Sequence, residues 1–138
     1  MRAVFADTCY WIAVLNPKDQ LHDSAIQASE RLRDYRIITT EAVLTELLNY
    51  FSARGPHLRG AAARLVEHMQ ADTAVHVLPQ TREGFLSGLQ LYRARPDKGY
   101  SLTDCISMVA MRRDGLNAVL TDDGHFSQEG FTCLLGTP

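Results

Sequence analysis

Short, continuous apolar runs alternate with longer amphipathic segments along the sequence. Continuous apolar runs are typical of parallel strands buried on both faces, whereas apolar residues spaced by three and four positions indicate helices that pack on a core. The pattern predicts strands at residues 2–6, 36–39 and 74–78, a short strand ending just before Asp122, and a last edge strand at 131–135.

The segments between these strands show helical periodicity and have recognisable ends. We predict helices at 19–34, 41–53, 58–70 and 81–95, and another that starts at Ser101 and stops at Gly115. Asp19 is the predicted N-cap of the first helix, and Gly55-Pro56 ends the second. Residues 9–15 are too apolar for a surface loop. Strands that alternate with helices indicate a parallel sheet covered on both faces, so we expect a single α/β domain spanning residues 1–138.

Composition narrows the class of protein without identifying it. The chain has 138 residues, of which 46% are hydrophobic and 22% charged, as in an ordinary soluble domain. No apolar run is long enough to cross a membrane and no signal peptide is evident, so we expect a cytoplasmic protein. The three cysteines lack metal-ligand spacing, which favours reduced core thiols over zinc ligands. A net charge of −2 argues against binding nucleic acid by charge alone.

Acidic residues stand at the predicted ends of these elements. Asp7 and the pair Asp122 and Asp123 each follow an apolar strand, Asp104 begins a helix, and Glu46 lies on the flank of an apolar helix face. Strand ends and the helix starts that follow them share one rim of a parallel sheet, so these carboxylates are predicted to meet. Each also has a structural alternative. Asp7 can cap a helix, Asp104 fits a capping box, Asp122-Asp123-Gly124 can be a turn, and Glu46 can be solvated.

Converging carboxylates suggest a cation. At 4–5 Å separation, each pair would repel by on the order of 3–4 kcal/mol at an effective dielectric constant of 20. Oxygen ligands suit Mg²⁺ or Mn²⁺, and such ions activate water for phosphodiester hydrolysis without a protein nucleophile. The sequence contains no nucleophile elbow, P-loop or dinucleotide-binding motif. The carboxylates therefore predict a metal-dependent phosphodiesterase.

Four short motifs resemble those of the PIN-domain ribonucleases, specifically the VapC-like toxins of type II toxin–antitoxin systems. They are Asp7-Thr8 after the first strand, the segment 40–46 ending on Glu46, Ser101-Leu102-Thr103-Asp104, and Thr121-x-Asp123-x-x-Phe126. Their order and spacing are similar to the family's over almost the whole chain. Gly124 departs from the basic residue that the family often carries there, and Asp122 adds a second carboxylate beside the mapped one.

The resemblance implies a three-layer α/β/α sandwich with a central parallel sheet and an endoribonuclease that depends on Mg²⁺ or Mn²⁺. It also implies a homodimer and a cognate antitoxin. Asp7, Glu46, Asp104 and Asp123 would be the catalytic metal ligands, with Asp122 as a further candidate. The expected supporting residues are Thr8 and Thr121. The arginines that could contact RNA are Arg93, Arg95, Arg112 and Arg113, although a solvated surface position is the favoured alternative for each.

Two other functions stay open from the sequence. A housekeeping nuclease that processes RNA would use the same fold and metal site, and a non-catalytic binding module would use the carboxylates only as caps and turns. A phosphoryl-accepting receiver domain is disfavoured because neither Lys18 nor Lys98 stands at a strand end. Candidates for an antitoxin groove are the apolar residues Trp11, Leu48, Tyr50 and Phe51, for which burial in the core is the alternative.

Overall fold

The computed structural model describes residues 2–136 and contains a five-stranded, entirely parallel sheet. The strand order is β3-β2-β1-β4-β5. The strands are β1 (Ala3–Ala6), β2 (Arg36–Thr40), β3 (Val75–Leu78), β4 (Ala118–Leu120) and β5 (Thr132–Cys133). The predicted α/β architecture with a central parallel sheet is confirmed, and the predicted last strand is indeed at the edge, although it is only two residues long.

Seven helices flank the sheet within the described residues. They are α1 (Thr8–Leu15), α2 (His22–Arg31), α3 (Glu41–Phe51), α4 (Pro56–Ala71), α5 (Arg82–Ala94), α6 (Leu102–Arg113) and α7 (Gly124–Gln128). The helices pack in pairs, α1 with α2, α3 with α4, and α5 with α6. The apolar segment after the first strand is α1, as its composition suggested. None of the helices that the structure describes has both the length and the apolarity needed to cross a membrane.

Burial of the central strands explains their composition. Val4 and Phe5 in β1, and Val119 and Leu120 in β4, are fully buried, because a strand in the middle of a parallel sheet is covered on both faces. The two strands are in register, with Ala6 opposite Leu120. The residues that follow them, Asp7 and Thr121, therefore emerge side by side at the carboxyl end of the sheet.

Two predicted element ends are wrong for identifiable reasons, and a predicted turn continues into a helix. Asp19 does not cap α2, because its carboxylate accepts the backbone N–H of Leu21 in a turn one residue before the helix. Pro56 does not stop a helix but begins α4, where the missing N–H of proline has no consequence. The predicted turn at Asp122-Asp123-Gly124 leads into the short helix α7, for which Asp123 is the N-cap.

The strand order places a crevice beside β1. The chain moves outwards from β1 through β2 to β3 and then crosses back to β4 on the other side of β1. Ligands of open parallel sheets bind at such a reversal, outside the carboxyl ends of the strands. The reversal lies between β1 and β4, where Asp7 and Thr121 emerge.

Candidate metal centre

An open cleft of about 590 Å³ lies at the carboxyl ends of β1 and β4. The predicted carboxylates all line it, although they come from four separate parts of the chain. The residues that line the cleft are Asp7, Thr8, Cys9, Ile12, Glu46, Tyr50, Gly99, Ser101, Asp104, Asp122, Asp123 and His125.

Thr121 fixes the position of Asp7. The hydroxyl of Thr121 donates to Oδ2 of Asp7 at 2.9 Å and accepts the backbone N–H of Asp123 at 3.1 Å. Its oxygen also lies 3.1 Å from Sγ of Cys9, which leaves the thiol as the donor of that pair because the hydroxyl proton is already used. Thr121 is fully buried, so these three bonds satisfy a hydroxyl that would otherwise be costly to bury. The network joins both strand ends to the first residues of α1.

The carboxylate of Asp7 is buried, and no lysine or arginine among the described residues lines the cleft beside it. Asp7 is 5% exposed and stands at the N-cap position of α1, but its side chain makes no capping hydrogen bond. The pKa of Asp7 is raised to about 7, mainly by burial; the charges of Asp104 and Glu46 add to the rise, and hydrogen bonds from Thr8 and Thr121 oppose it. The capping alternative is thus not what this carboxylate does in the structure.

Asp104 both caps its helix and faces the cleft. Ser101 and Asp104 form a reciprocal capping box at the start of α6, each accepting the other's backbone N–H at 3.0 Å. Burial raises the pKa of Asp104, and the charges of Asp123 and Glu46 act in the same direction. The capping box therefore holds the carboxylate at the cleft, so capping and metal binding are compatible here.

Three side chains converge most closely at the cleft. One ligand atom from each of Asp104, Asp123 and His125 lies within 4.8 Å of the others. Asp123 accepts the backbone N–H of His125 at 2.9 Å, which fixes its carboxylate at the start of α7. Asp122 is exposed and lines the cleft outside this group.

Glu46 and Thr8 complete the polar lining. Glu46 is half-buried on the flank of α3, as its position on the helix predicts, and its charge acts on both Asp7 and Asp104. The hydroxyl of Thr8 is buried and has no hydrogen-bond partner among residues 2–136. A buried polar atom without a partner at the wall of an open cleft is one that a bound ligand or water would satisfy.

Three of the four arginines predicted as RNA contacts have a carboxylate partner. Arg95 and Arg112 donate to the carboxylate of Glu129 at 2.8 and 2.7 Å. The exposed guanidinium of Arg113 lies 3.6 Å from Glu83. Arg93 lies on α5 beside a surface hollow and is not among the residues that line the cleft.

Sequence reasoning missed one residue of the cleft, His125, and gave another, Tyr50, only as a candidate antitoxin contact. His125 is part of the converging group, but a lone histidine in a turn motif carries no ligand-spacing signal. Tyr50 lines the cleft, 37% exposed, and the guanidinium of Arg54 stacks 3.8 Å from its ring centre. Of the apolar candidates for an antitoxin groove, Trp11 and Phe51 are buried in the core, whereas Leu48 is exposed like Tyr50.

The lining fits a hard divalent cation. Most of its donor atoms are carboxylate and hydroxyl oxygens, with one imidazole nitrogen and one thiol. The pKa values of Asp7 and Asp104 are raised mainly by burial, and no lysine or arginine among residues 2–136 lines the cleft to oppose it. A bound cation would reverse that effect and hold the carboxylates ionised. The three cysteines are free thiols, and only Cys9 lines the cleft, so the lining is not a zinc-thiolate site.

Known proteins share both the sequence and the fold. The chain is 28% identical over 131 residues to the 23S rRNA-specific endonuclease VapC20 of Mycobacterium tuberculosis, covering 93% of this chain and 95% of that protein. The crystal structure of VapC20, described as a toxin that cleaves the sarcin–ricin loop, superposes with a TM-score of 0.83 at 25% identity, covering 97% of this chain and 100% of that one.

A second solved structure, VapBC2 from Rickettsia felis bound to promoter DNA, shares the fold with a TM-score of 0.68 at 14% identity, over 95% of this chain and 96% of that one. The family model for the PIN domain matches residues 4–131, a span that contains every carboxylate of the cleft. This protein therefore belongs to the PIN-domain family.

Proposed function

We propose that the protein is a metal-dependent endoribonuclease acting as the toxin of a toxin–antitoxin pair. The observation that carries the proposal is a cleft where Asp7, Glu46, Asp104 and Asp123 gather with no lysine or arginine in the lining. Family membership adds the reaction class, and the relative VapC20 is described as a 23S rRNA-specific endonuclease. We assign Mg²⁺ or Mn²⁺ as the cofactor because oxygen donors dominate the lining.

The residues of the cleft have distinct tasks in this proposal. The cation would be held by Asp7, Asp104 and Asp123. Glu46 would add negative charge that helps to balance the cation, and Asp122 would be an outer, exposed carboxylate. A divalent cation bound there supplies hydroxide near neutral pH and neutralises the charge that develops on the phosphate. Thr121 keeps Asp7 oriented through its 2.9 Å hydrogen bond, and Ser101 does the same for Asp104.

RNA would approach past Tyr50, which lines the cleft, and Arg54, which stacks on Tyr50 from outside the lining. The guanidinium of Arg54 is fixed by a 2.8 Å hydrogen bond from Nε to the carbonyl of Tyr50 and by its stacking on the ring. No acidic side chain among residues 2–136 forms an ion pair with Arg54, so its terminal nitrogens can contact a phosphate. An exposed aromatic ring beside a cation suits a base and its phosphate.

The proposal includes two protein partners. Helix α5 exposes Phe85, Leu86, Leu89 and Tyr92, large apolar side chains that one helix face rarely presents to water in a monomer. We assign this face to a homodimer of the chain, because a dimer is what the family resemblance implies. A cognate antitoxin would bind elsewhere and block the cleft, and both partners and the RNA substrate would be cytoplasmic.

A cleavage assay tests the proposed activity. Purified protein is incubated with an RNA that contains the sarcin–ricin hairpin of 23S rRNA and with an unrelated structured RNA, and the new ends are mapped by sequencing. Defined ends that appear with Mn²⁺ and disappear with EDTA support the enzyme, and a preference for the hairpin supports an rRNA substrate. Cleavage that persists in EDTA contradicts the metal mechanism, and no cleavage of either RNA favours a binding module.

A further inference from the structure

We propose that His125 is a ligand of the bound cation through Nδ1, and that this nitrogen biases the site towards transition-metal dications over Mg²⁺. The inference rests on the proposed function, since it concerns the same metal centre. It adds an imidazole ligand to a set of carboxylates that the sequence motifs alone would assign.

The distances around Nδ1 fit adjacent ligands of one ion. Nδ1 of His125 lies 3.2 Å from Oδ1 of Asp123 and 3.6 Å from Oδ2 of Asp104. Adjacent donors of an octahedral ion, each about 2.1 Å from the metal, are about 3 Å apart, and opposite donors are about 4.2 Å apart. The three atoms all lie within 4.8 Å of one another, so one ion can contact all of them after small side-chain adjustments.

Nδ1 of His125 is buried and has no hydrogen-bond partner among the described residues. The rest of the residue is held from outside the cleft. Its backbone N–H donates to Asp123 at 2.9 Å, and its ring packs edge-on against Tyr100 with the ring centres 5.4 Å apart. Tyr100 in turn donates its hydroxyl to Glu129 at 3.1 Å. The ring is thus oriented by its surroundings while the nitrogen at the cleft stays free to bind.

The chemical consequence is a change in metal preference. Mg²⁺ prefers oxygen ligands, whereas an imidazole nitrogen favours first-row transition metals, increasingly from Mn²⁺ to Co²⁺ and Ni²⁺. A purely acidic site would discriminate less strongly between these ions. The competing role for His125 is that of a cation that offsets the carboxylates without touching the metal, and this role predicts equal effects on all dications.

The test compares wild type with His125→Asn, which keeps a polar atom near the position of Nδ1 but offers no imidazole. His57→Asn, at an exposed histidine on α4, is the matched control. Pulsed electron paramagnetic resonance of Mn²⁺-loaded, RNA-free protein should show the ¹⁴N coupling of a directly bound imidazole in wild type and in His57→Asn. The coupling should be lost in His125→Asn. Thermal melts confirm that each variant is folded.

Affinities measured by metal-dependent melting give the second readout. The Co²⁺ to Mg²⁺ affinity ratio should fall about tenfold in His125→Asn, mainly through weaker Co²⁺ binding. Mn²⁺ binding without ¹⁴N coupling in wild type, or equal changes in Co²⁺ and Mg²⁺ affinity, would overturn the inference and leave the proposed nuclease intact. A protein that binds no dication would overturn both.

Discussion

Two acidic regions of the molecule differ in what faces their carboxylates. Glu129 is 5% exposed at its side chain and is contacted by Arg95, Arg112 and Tyr100. Burial would raise the pKa of Glu129, but these hydrogen bonds outweigh it and lower that pKa to about 2. In the cleft, no guanidinium faces Asp7, and burial raises its pKa to about 7.

In the proposed function, this difference distinguishes a structural acid, Glu129, from a metal ligand, Asp7. Glu129 receives its counter-charges from the same chain, and it fastens the end of α7 to α5 and α6. No lysine or arginine among the described residues lines the cleft to balance its carboxylates. Burial of these carboxylates therefore destabilises the metal-free fold. Sites that bind a cation commonly keep strain of this kind, because a protein cation in the same place would compete with the ligand.

The largest effect, a loss of RNA cleavage activity, is expected from Asp104→Asn. Asparagine can still accept the backbone N–H of Ser101, so the start of α6 should stay intact while a charged metal ligand is lost. We expect cleavage of RNA in Mn²⁺ to fall about 10³-fold, equivalent to about 4 kcal/mol of transition-state stabilisation. Initial rates measured against Glu67→Gln, an exposed control on α4, check this, and a fall of less than about tenfold would remove Asp104 from the metal centre.

Asp7→Asn should stabilise the metal-free protein. The folded-state pKa of Asp7, about 7, lies above its ordinary value of 3.8, so its contribution to stability is complete below about pH 4 and is lost as pH rises through 7. Removing the charge should raise the free energy of unfolding by about 2–4 kcal/mol at about pH 8, and by little near pH 4.

Urea unfolding in EDTA across this pH range measures the difference between Asp7→Asn and wild type. Saturating Mn²⁺ should reduce or reverse that difference, because only wild type keeps the full set of ligands. A variant no more stable than wild type at about pH 8 would show that Asp7 is not held as an uncompensated charge.

Glu129→Gln should have the opposite effect and lower the free energy of unfolding. Its lowered pKa means that Glu129 stabilises the fold above its ordinary pKa of 4.5, and that this contribution disappears as pH falls towards 2. We expect a loss of about 1–2 kcal/mol near pH 7, discounted because the guanidiniums of Arg95 and Arg112 are 37% and 48% exposed. Denaturant midpoints at neutral pH and at about pH 3 test this, and an equal loss at both would contradict the ion-pair account.

The smallest effect is expected from Arg54→Ala, since it removes one phosphate contact and no metal ligand. RNA affinity, measured in the Asp104→Asn background to prevent cleavage, should weaken a few-fold. The slope of log affinity against log salt should fall by about 0.7, the value for one phosphate of a single strand. Arg31→Ala, an exposed arginine on α2, is the matched control, and equal slopes for both variants would exclude Arg54 from the RNA path.

The sequence predicts those parts of the site whose positions follow from short-range patterns, such as the end of a strand or the start of a helix. Asp7 and Thr121 follow apolar strands, so the carboxyl edge of a parallel sheet brings them together. Asp104 was recognisable because a capping box has a fixed spacing. The family and the parallel α/β fold predicted from these motifs are confirmed by the comparisons.

The rest depends on contacts between distant parts of the chain. Glu129 meets Arg95 across 34 residues and Arg112 across 17, and no periodicity indicates such a pairing. Helix α7 was missed because Asp-Gly is a common turn dipeptide and the helix has only five residues. His125 is recognised as a candidate ligand only from the structure, in which α7 places its ring beside Asp104 and Asp123.

The central claim is that carboxylates from separate segments jointly bind the cation that drives RNA cleavage. A single Mn²⁺ titration, followed on the same protein by both melting temperature and cleavage rate, tests it most directly. The account predicts that the two signals rise with the same midpoint and that Asp104→Asn abolishes both. Cleavage that is already complete in EDTA, or a Mn²⁺-dependent rise in melting temperature that survives Asp104→Asn unchanged, would contradict it.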